Sequence, residues 1–249
     1  MKKLLYILIL LISFSSIGQS EKLFDQGKEL YKNGKYQQAI TTWMQILDKG
    51  EHSAELYFNL GNAQYKLNHI GPSIYYYEKA LQLSPNDSDI KNNLAFAENA
   101  RIDSIEPLPK TVFSKWYKSI SSIFTFEGWA LVAVAFSVFF VALFLFYYFA
   151  FSERRKRLLF VSAMFAGILL IASLTMAFLT YGDFTKNQPA IIFASEIEVK
   201  TAPTMGSDIA FTLHEGTKVQ ISAQDGNWFR ITLADGKDGW IPATDLKQL

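Results

Sequence analysis

Few residues in this chain are equipped for bond-making chemistry. The three histidines, His52, His69 and His214, are far apart in sequence. His-Glu-x-x-His, a phosphate-binding glycine loop and Gly-x-Ser-x-Gly are all missing, so the spacings needed for metal-assisted hydrolysis, nucleotide chemistry and acyl transfer do not occur. The 249 residues include no cysteine, which excludes thiol nucleophiles, thiolate zinc sites, disulfides and a lipid-modified cysteine anchor. Aspartates gather at "NDSD" (Asn86 to Asp89) and "DGKDG" (Asp235 to Gly239). The first reads as a helix start capped by Asp87 or Ser88, the second as a hairpin turn, and neither has a calcium-loop pattern. No catalytic, cofactor-binding or metal-ligating set is expected. With 24 Lys and Arg against 23 Asp and Glu, the net charge of +1 gives no sign of nucleic-acid binding. What remains is the chemistry of recognition and placement: recurring aromatic and basic side chains, and a knot of four cations, Arg154, Arg155, Lys156 and Arg157, between two uncharged stretches.

The recurrence has a fixed period. "QGKELYKNGKYQQAITTWMQIL" and "LGNAQYKLNHIGPSIYYYEKAL" align without a gap, pairing Gly27 with Gly61, Tyr31 with Tyr65, Ala39 with Ser73, Trp43 with Tyr77 and Ile46 with Ala80, each 34 residues apart. This resembles the tetratricopeptide repeat, two antiparallel helices per repeat with small residues where helices cross closely. Pro85 falls where the second helix must stop. "SDIKNNLAFAENAR" (Ser88 to Arg101) supplies the next helix, read as a cap over the open end of the solenoid.

The first helices of such repeats line a concave groove. By period, Phe24, Lys28, Tyr31 and Lys32 face it from the first repeat, and Phe58, Asn59, Asn62, Tyr65 and Lys66 from the second. Aromatic and basic groups in that arrangement suit an extended peptide with acidic or apolar side chains, and the plain alternative is a solvated face. Some members of the family clamp a terminal carboxylate, but Phe24, Lys28, Asp89 and Asn93 occupy clamp positions here, so that activity is not carried over.

The cation knot reads as a topology signal. Gly128 to Phe151 is uncharged, and at about 1.5 Å per residue it reaches about 36 Å, enough to cross a hydrocarbon core of about 30 Å. Leu158 to Gly182 is likewise uncharged. The connection between them, "SERRKR", carries net +3, and short basic loops stay in the cytoplasm. "MKKLLYILILLISFSSIGQS" has the layout of a secretory signal peptide ending at Gly18. Both signals place the repeats and the C-terminus outside the cytoplasm. The spans hold no ionisable residue, which argues against a transporter or pump. Small residues at Ala133 and Ser137, and at Ala163 and Gly167, suit close helix packing. Before the first span, "FSKWYKSISSIF" places Phe113, Trp116, Tyr117, Ile120, Ile123 and Phe124 at helical spacing, as in a helix lying on a membrane surface.

Pro189 to Leu249 alternates apolar and polar residues with Asp-Gly turns at Asp225 and Asp235. Through Gly216, Trp228, Gly239 and Trp240 it resembles the bacterial Src-homology-3-like domain, a small all-β barrel of five or six strands. That family recognises cell-wall peptides or proteins through aromatic residues, for which Trp228 and Trp240 are the candidates. The favoured plain reading makes both of them core, because so few residues must build the whole barrel. The expected architecture is a multidomain membrane protein: signal peptide 1–18, an all-α tetratricopeptide solenoid over 19–101, linker and interfacial helix over 102–127, a two-helix transmembrane hairpin (128–151 and 158–182) around a loop at 152–157, and the SH3-like barrel over 189–249.

This order of parts resembles the BatE branch of the Bacteroides aerotolerance (Bat) family. Its members are encoded with a MoxR-type ATPase and membrane proteins bearing von Willebrand factor A domains. The resemblance implies a non-enzymatic envelope scaffold with those proteins as partners. A cell-wall module, whose barrel holds peptidoglycan while the repeats recruit a hydrolase, is the alternative.

Overall fold

The 34-residue period becomes two helical hairpins and a fifth helix. The computed structural model describes residues 19–109 and 111–249; the signal peptide expected at 1–18 lies outside them. Helix α1 covers residues 19–32, followed by α2 (Tyr36–Leu47), α3 (Ala54–Lys66), α4 (Ile70–Leu83) and α5 (Ser88–Asn99). The repeated glycines are needed because an aromatic ring sits on each. A Cβ added to Gly27 would lie 2.1 Å from the Trp43 indole nitrogen, and one added to Gly61 would lie 2.6 Å from the Tyr77 ring. Both rings are almost fully buried, and Trp43 Nε1 donates to the Phe24 carbonyl at 3.1 Å. Ser73, in the register of Ala39, spends its hydroxyl on the Gly61 carbonyl at 3.0 Å. Asp87 caps α5, accepting from the backbone N–H groups of Asp89 and Ile90.

The chain divides into two compact units: residues up to Pro107 together with Gln188–Leu249, and Leu108–Asn187. The repeats and the β-domain therefore share one unit, although the long apolar stretches separate them in sequence. The β-domain is a single antiparallel sheet of seven strands: β1 (Pro189–Ile192), β2 (Glu196–Lys200), β3 (Ile209–His214), β4 (Lys218–Asp225), β5 (Trp228–Thr232), β6 (Asp238–Pro242) and β7 (Leu246–Gln248), in the order β3-β2-β6-β5-β4-β1-β7. This exceeds the five or six strands expected. Strand β1 is paired with both β4 and β7. Successive side chains of a strand point to opposite faces. Ala190 and Ile192 enter the β-core with Val199, Ile231 and Ile241, while Ile191 enters the helical core with Ile74 and Tyr77. One four-residue strand thus serves two cores.

The helical and β parts approach to backbone contact. A Cβ on Gly71, in the first turn of α4, would lie 2.7 Å from the Ile192 carbonyl oxygen and 3.0 Å from the Gly216 nitrogen. Gly71 N–H donates to Glu215 at 3.1 Å, and Lys218 pairs with Glu78. Gly216 adopts φ +83° and packs against Ile70, Ile74 and Arg101, so the glycine has both a conformational and a steric reason. Phe193 meets the Tyr75 ring edge-on at 5.5 Å, with the Lys247 ammonium over both rings.

The second unit holds α6 (Val112–Ser121), α7 (Phe126–Phe149) and α8 (Glu153–Lys186). The last two are long and apolar enough to cross a membrane. They pack through Ala133, Ala163, Ala166 and Ser173, with Phe140 against Gly167. One boundary differs from expectation. The basic knot is not a loop: α8 begins at Glu153, so Arg154, Arg155 and Lys156 lie with it in the first turn and Arg157 opens the second. Charged residues with long side chains are good helix formers, so the helix of the second apolar stretch propagates back through them.

Candidate functional site: a cleft on the inner helices of the repeats

The first helices of the hairpins, the capping helix and Tyr77 of α4 enclose a cleft of about 270 Å³, lined by Tyr31, Asn62, Tyr65, Lys66, Tyr77, Asn93 and Phe96. Its floor is a small polar network. The Tyr77 hydroxyl donates to Asn62 Oδ1 at 2.7 Å, and Asn93 Nδ2 donates to the same oxygen at 2.8 Å. Burial raises the pKa of the Tyr77 phenol above its ordinary value, so it stays a neutral donor. The walls are aromatic. Tyr31 packs against Tyr36 at 5.1 Å and Trp43 at 6.2 Å, which fixes its ring and, by burial, raises its phenol pKa. Tyr65 and Phe96 are open to solvent, Phe96 to 64%. Lys66 brings a cation to the rim. Rigid rings, amide groups and one ammonium can hold an extended segment by apolar contact and charge-assisted hydrogen bonds.

Of the nine residues assigned to the groove by period, the cleft brings together Tyr31, Asn62, Tyr65 and Lys66. The other five stand elsewhere. Phe24 and Phe58 pack on the core beside Trp43 (6.5 Å) and Tyr77 (6.0 Å). Lys28 pairs with Asp25 at 2.9 Å and lies over the Phe24 ring. Lys32 is exposed and Asn59 half-buried, both outside the cleft lining. Asn93, named only as the occupant of a clamp position, and Phe96 were not assigned to the groove, yet for Phe96 the signal existed: it stands 34 residues after Asn62, as Asn62 stands 34 after Lys28. A larger hollow of about 420 Å³ lies among Ser20, Glu21, Phe24, Ile46, Glu51, His52, Ser53 and Leu56. There the Ser20 hydroxyl donates to Glu51 at 2.7 Å, so those two polar groups engage one another.

The β-domain corrects the reading of its tryptophans. The register pairs Trp228 with Pro242, Arg230 with Trp240 and Thr232 with Asp238. Alternation then sends Phe229, Ile231, Gly239 and Ile241 inward and Trp228, Arg230 and Trp240 outward. Both tryptophans lie outside the buried core, which Ile, Val and Leu fill instead. Their outer face also carries the ion pair of Arg230 with Asp238, whose Nε–Oδ2 distance is 2.7 Å. Gly239 has a packing reason, since a Cβ there would meet Val199 at 2.5 Å.

A strap joins the two parts of this unit. Asp103, just after α5, accepts from Thr217 Oγ1 at 2.6 Å and from the His214 backbone N–H at 2.7 Å; its other oxygen lies 2.8 Å from His214 Nδ1. Burial alone would raise the Asp103 carboxyl pKa, but the hydrogen bonds from Thr217 and His214 outweigh it and hold the group below the ordinary carboxylate value. Ile105 then packs on the β-core.

Residues 54–87 match the family model described as tetratricopeptide repeat, and residues 27–68 match one described as TPR repeat. Residues 195–247 match the model described as bacterial SH3 domain. These matches agree with the helical and β parts described above. No curated protein matches the chain. Among solved structures, the C-terminal SH3 domain of myosin IB from Entamoeba histolytica is similar at 20% identity, covering 26% of this chain and 95% of that one, with a TM-score of 0.18.

Proposed function

We propose that this chain is a non-enzymatic, membrane-anchored adaptor of the bacterial envelope that binds a protein partner through the cleft of its tetratricopeptide repeats. The observation that carries this reading is the cleft itself: Tyr31, Asn62, Tyr65, Lys66, Asn93 and Phe96, drawn from three helices, around a fixed polar floor. The partner presents an extended segment with apolar and acidic side chains. Two crossings of the inner membrane, with the basic turn in the cytoplasm, hold the repeats and barrel in the periplasm. Support comes from the helix dipole. Arg154, Arg155 and Lys156 stand beside Glu153 in the first turn of α8, next to the positive end of that helix, a place unfavourable to cations that retention of a basic segment inside would account for. The resemblance to the Bat family suggests a stress or aerotolerance assembly, with von Willebrand factor A-domain membrane proteins as partners. The outward face of Trp228 and Trp240 favours a second reading, in which the barrel binds peptidoglycan and the repeats recruit a hydrolase.

The test uses Tyr65→Ser, Lys66→Ala and Phe96→Ala together. All three side chains are exposed, so folding should be nearly unaffected. Tyr31 is left in place because its ring supports Trp43. Partners purified with the detergent-extracted parent should be lost from the triple variant, with helix content unchanged. Retention of every partner would remove the cleft from consideration and leave the barrel face.

A further inference from the structure

Helix α6 separates its residues completely. At 100° per residue, Val112, Phe113, Trp116, Tyr117 and Ile120 fall on one side, and Ser114, Lys115, Lys118, Ser119 and Ser121 on the other. A stripe this apolar would normally be buried, yet none of its residues is: Phe113 is 80% exposed, Trp116 64% and Ile120 49%. The helix is nonetheless held in place. The Tyr117 hydroxyl donates to Asp183 Oδ2 at 2.5 Å, and this hydrogen bond raises the phenol pKa to about 12. At the other end, Trp129 Nε1 donates to the Ser121 carbonyl at 3.4 Å, and Phe124 packs edge-on against Trp129 at 5.3 Å.

The anchor point fixes the depth. Leu158 to Gly182 is uncharged, and Asp183 is the first ionisable residue after it, so Tyr117 is tied to α8 at the level where the apolar run ends. We infer that α6 is an interfacial foot, with Phe113, Trp116 and Ile120 set among the lipid acyl chains and Lys115 and Lys118 meeting anionic headgroups, and that the Tyr117–Asp183 bond positions it. The occupant is lipid because the stripe is continuous in level with the apolar run of α8. The helix carries two lysines and no acid, which matches an anionic surface. Aromatic side chains flanking a span are also the usual interfacial anchors.

The absence of native cysteine makes the test direct. Single cysteines are placed at Phe113→Cys and Ile120→Cys on the stripe and at Ser114→Cys and Ser121→Cys opposite, in the full chain. Each is spin-labelled and reconstituted into vesicles of phosphatidylcholine with or without phosphatidylglycerol. Collisions with oxygen report lipid, and collisions with a water-soluble nickel chelate report solvent. Stripe positions should favour oxygen and the opposite positions nickel. The contrast should be larger with phosphatidylglycerol, and that gain should vanish in Lys115→Gln/Lys118→Gln. Tyr117→Phe should reduce the contrast while leaving total helix content unchanged. Equal nickel access at all four positions would overturn the proposal in favour of a solvated helix. Stripe positions shielded from both reagents would overturn it in favour of a protein partner or a second copy.

Discussion

Asp103 is a single side chain on which the junction of repeats and β-domain depends. Three groups of the β-domain turn to its carboxylate, among them the hydroxyl of the fully buried Thr217. Asp103→Ala removes the acceptor and leaves a buried donor unpaired, at a cost of about 1–3 kcal/mol. Thermal unfolding of the purified protein should move down accordingly, and an unchanged melt would show that water replaces the carboxylate without loss. The same group sets an acid sensitivity. Its folded pKa lies below the ordinary carboxylate value, so its stabilising contribution is fully present above that ordinary value and is lost as pH falls through the depressed folded pKa. Parent and Asp103→Ala should therefore converge in stability at the acid end and diverge as pH rises from the depressed folded pKa to the ordinary carboxylate value, with a constant difference above it.

At the scale of elements, α4 and β1 meet so closely that only glycine fits between them. Gly71→Val would bring side-chain carbon against the Ile192 carbonyl, within 2.7 Å of where a Cβ must stand, and neither neighbour is a flexible side chain. The variant should keep its helix and strand content yet speed amide exchange in β1 and at Gly216. Unchanged protection there would mean that the junction carries little energy. This contact also shows what was legible in the sequence. The period of 34 and the repeated glycines announced the helical hairpins, and the ring over each glycine is the physical reason for the period. The Asp-Gly pairs announced both hairpins, closed by Gly226 and Gly236 at positive φ. Four cleft residues followed from the same period. The docking of β1 did not, because "PAII" reads only as a buried strand, and no local pattern says that Ile191 belongs to one core and Ile192 to another. Trp228 and Trp240 were named as a candidate face, but their size favoured a core reading, whereas strand register decides the face. Lys28, expected in the groove, stands outside the cleft and pairs with Asp25.

For the molecule as a whole, the repeats and the β-domain form one unit, and the apolar helices are an insertion between Pro107 and Gln188. Chain ends that fold together must emerge on one side of any membrane the insertion crosses, so an even number of crossings is required. A reporter active only outside the cytoplasm should work when fused after Leu249 or at Ser104 and fail at Glu153; a silent fusion after Leu249 would contradict the two-span topology. The adaptor function has a more direct test. A photo-crosslinking amino acid is placed at Phe96, in the cleft, and as a control at the exposed Gln45 of α2, and both full-length proteins are irradiated in living cells. The expected result is a discrete protein adduct from position 96 that is absent at position 45 and disappears with Tyr65→Ser and Lys66→Ala. No adduct at position 96, or the same adducts from both positions, would contradict a partner-binding cleft.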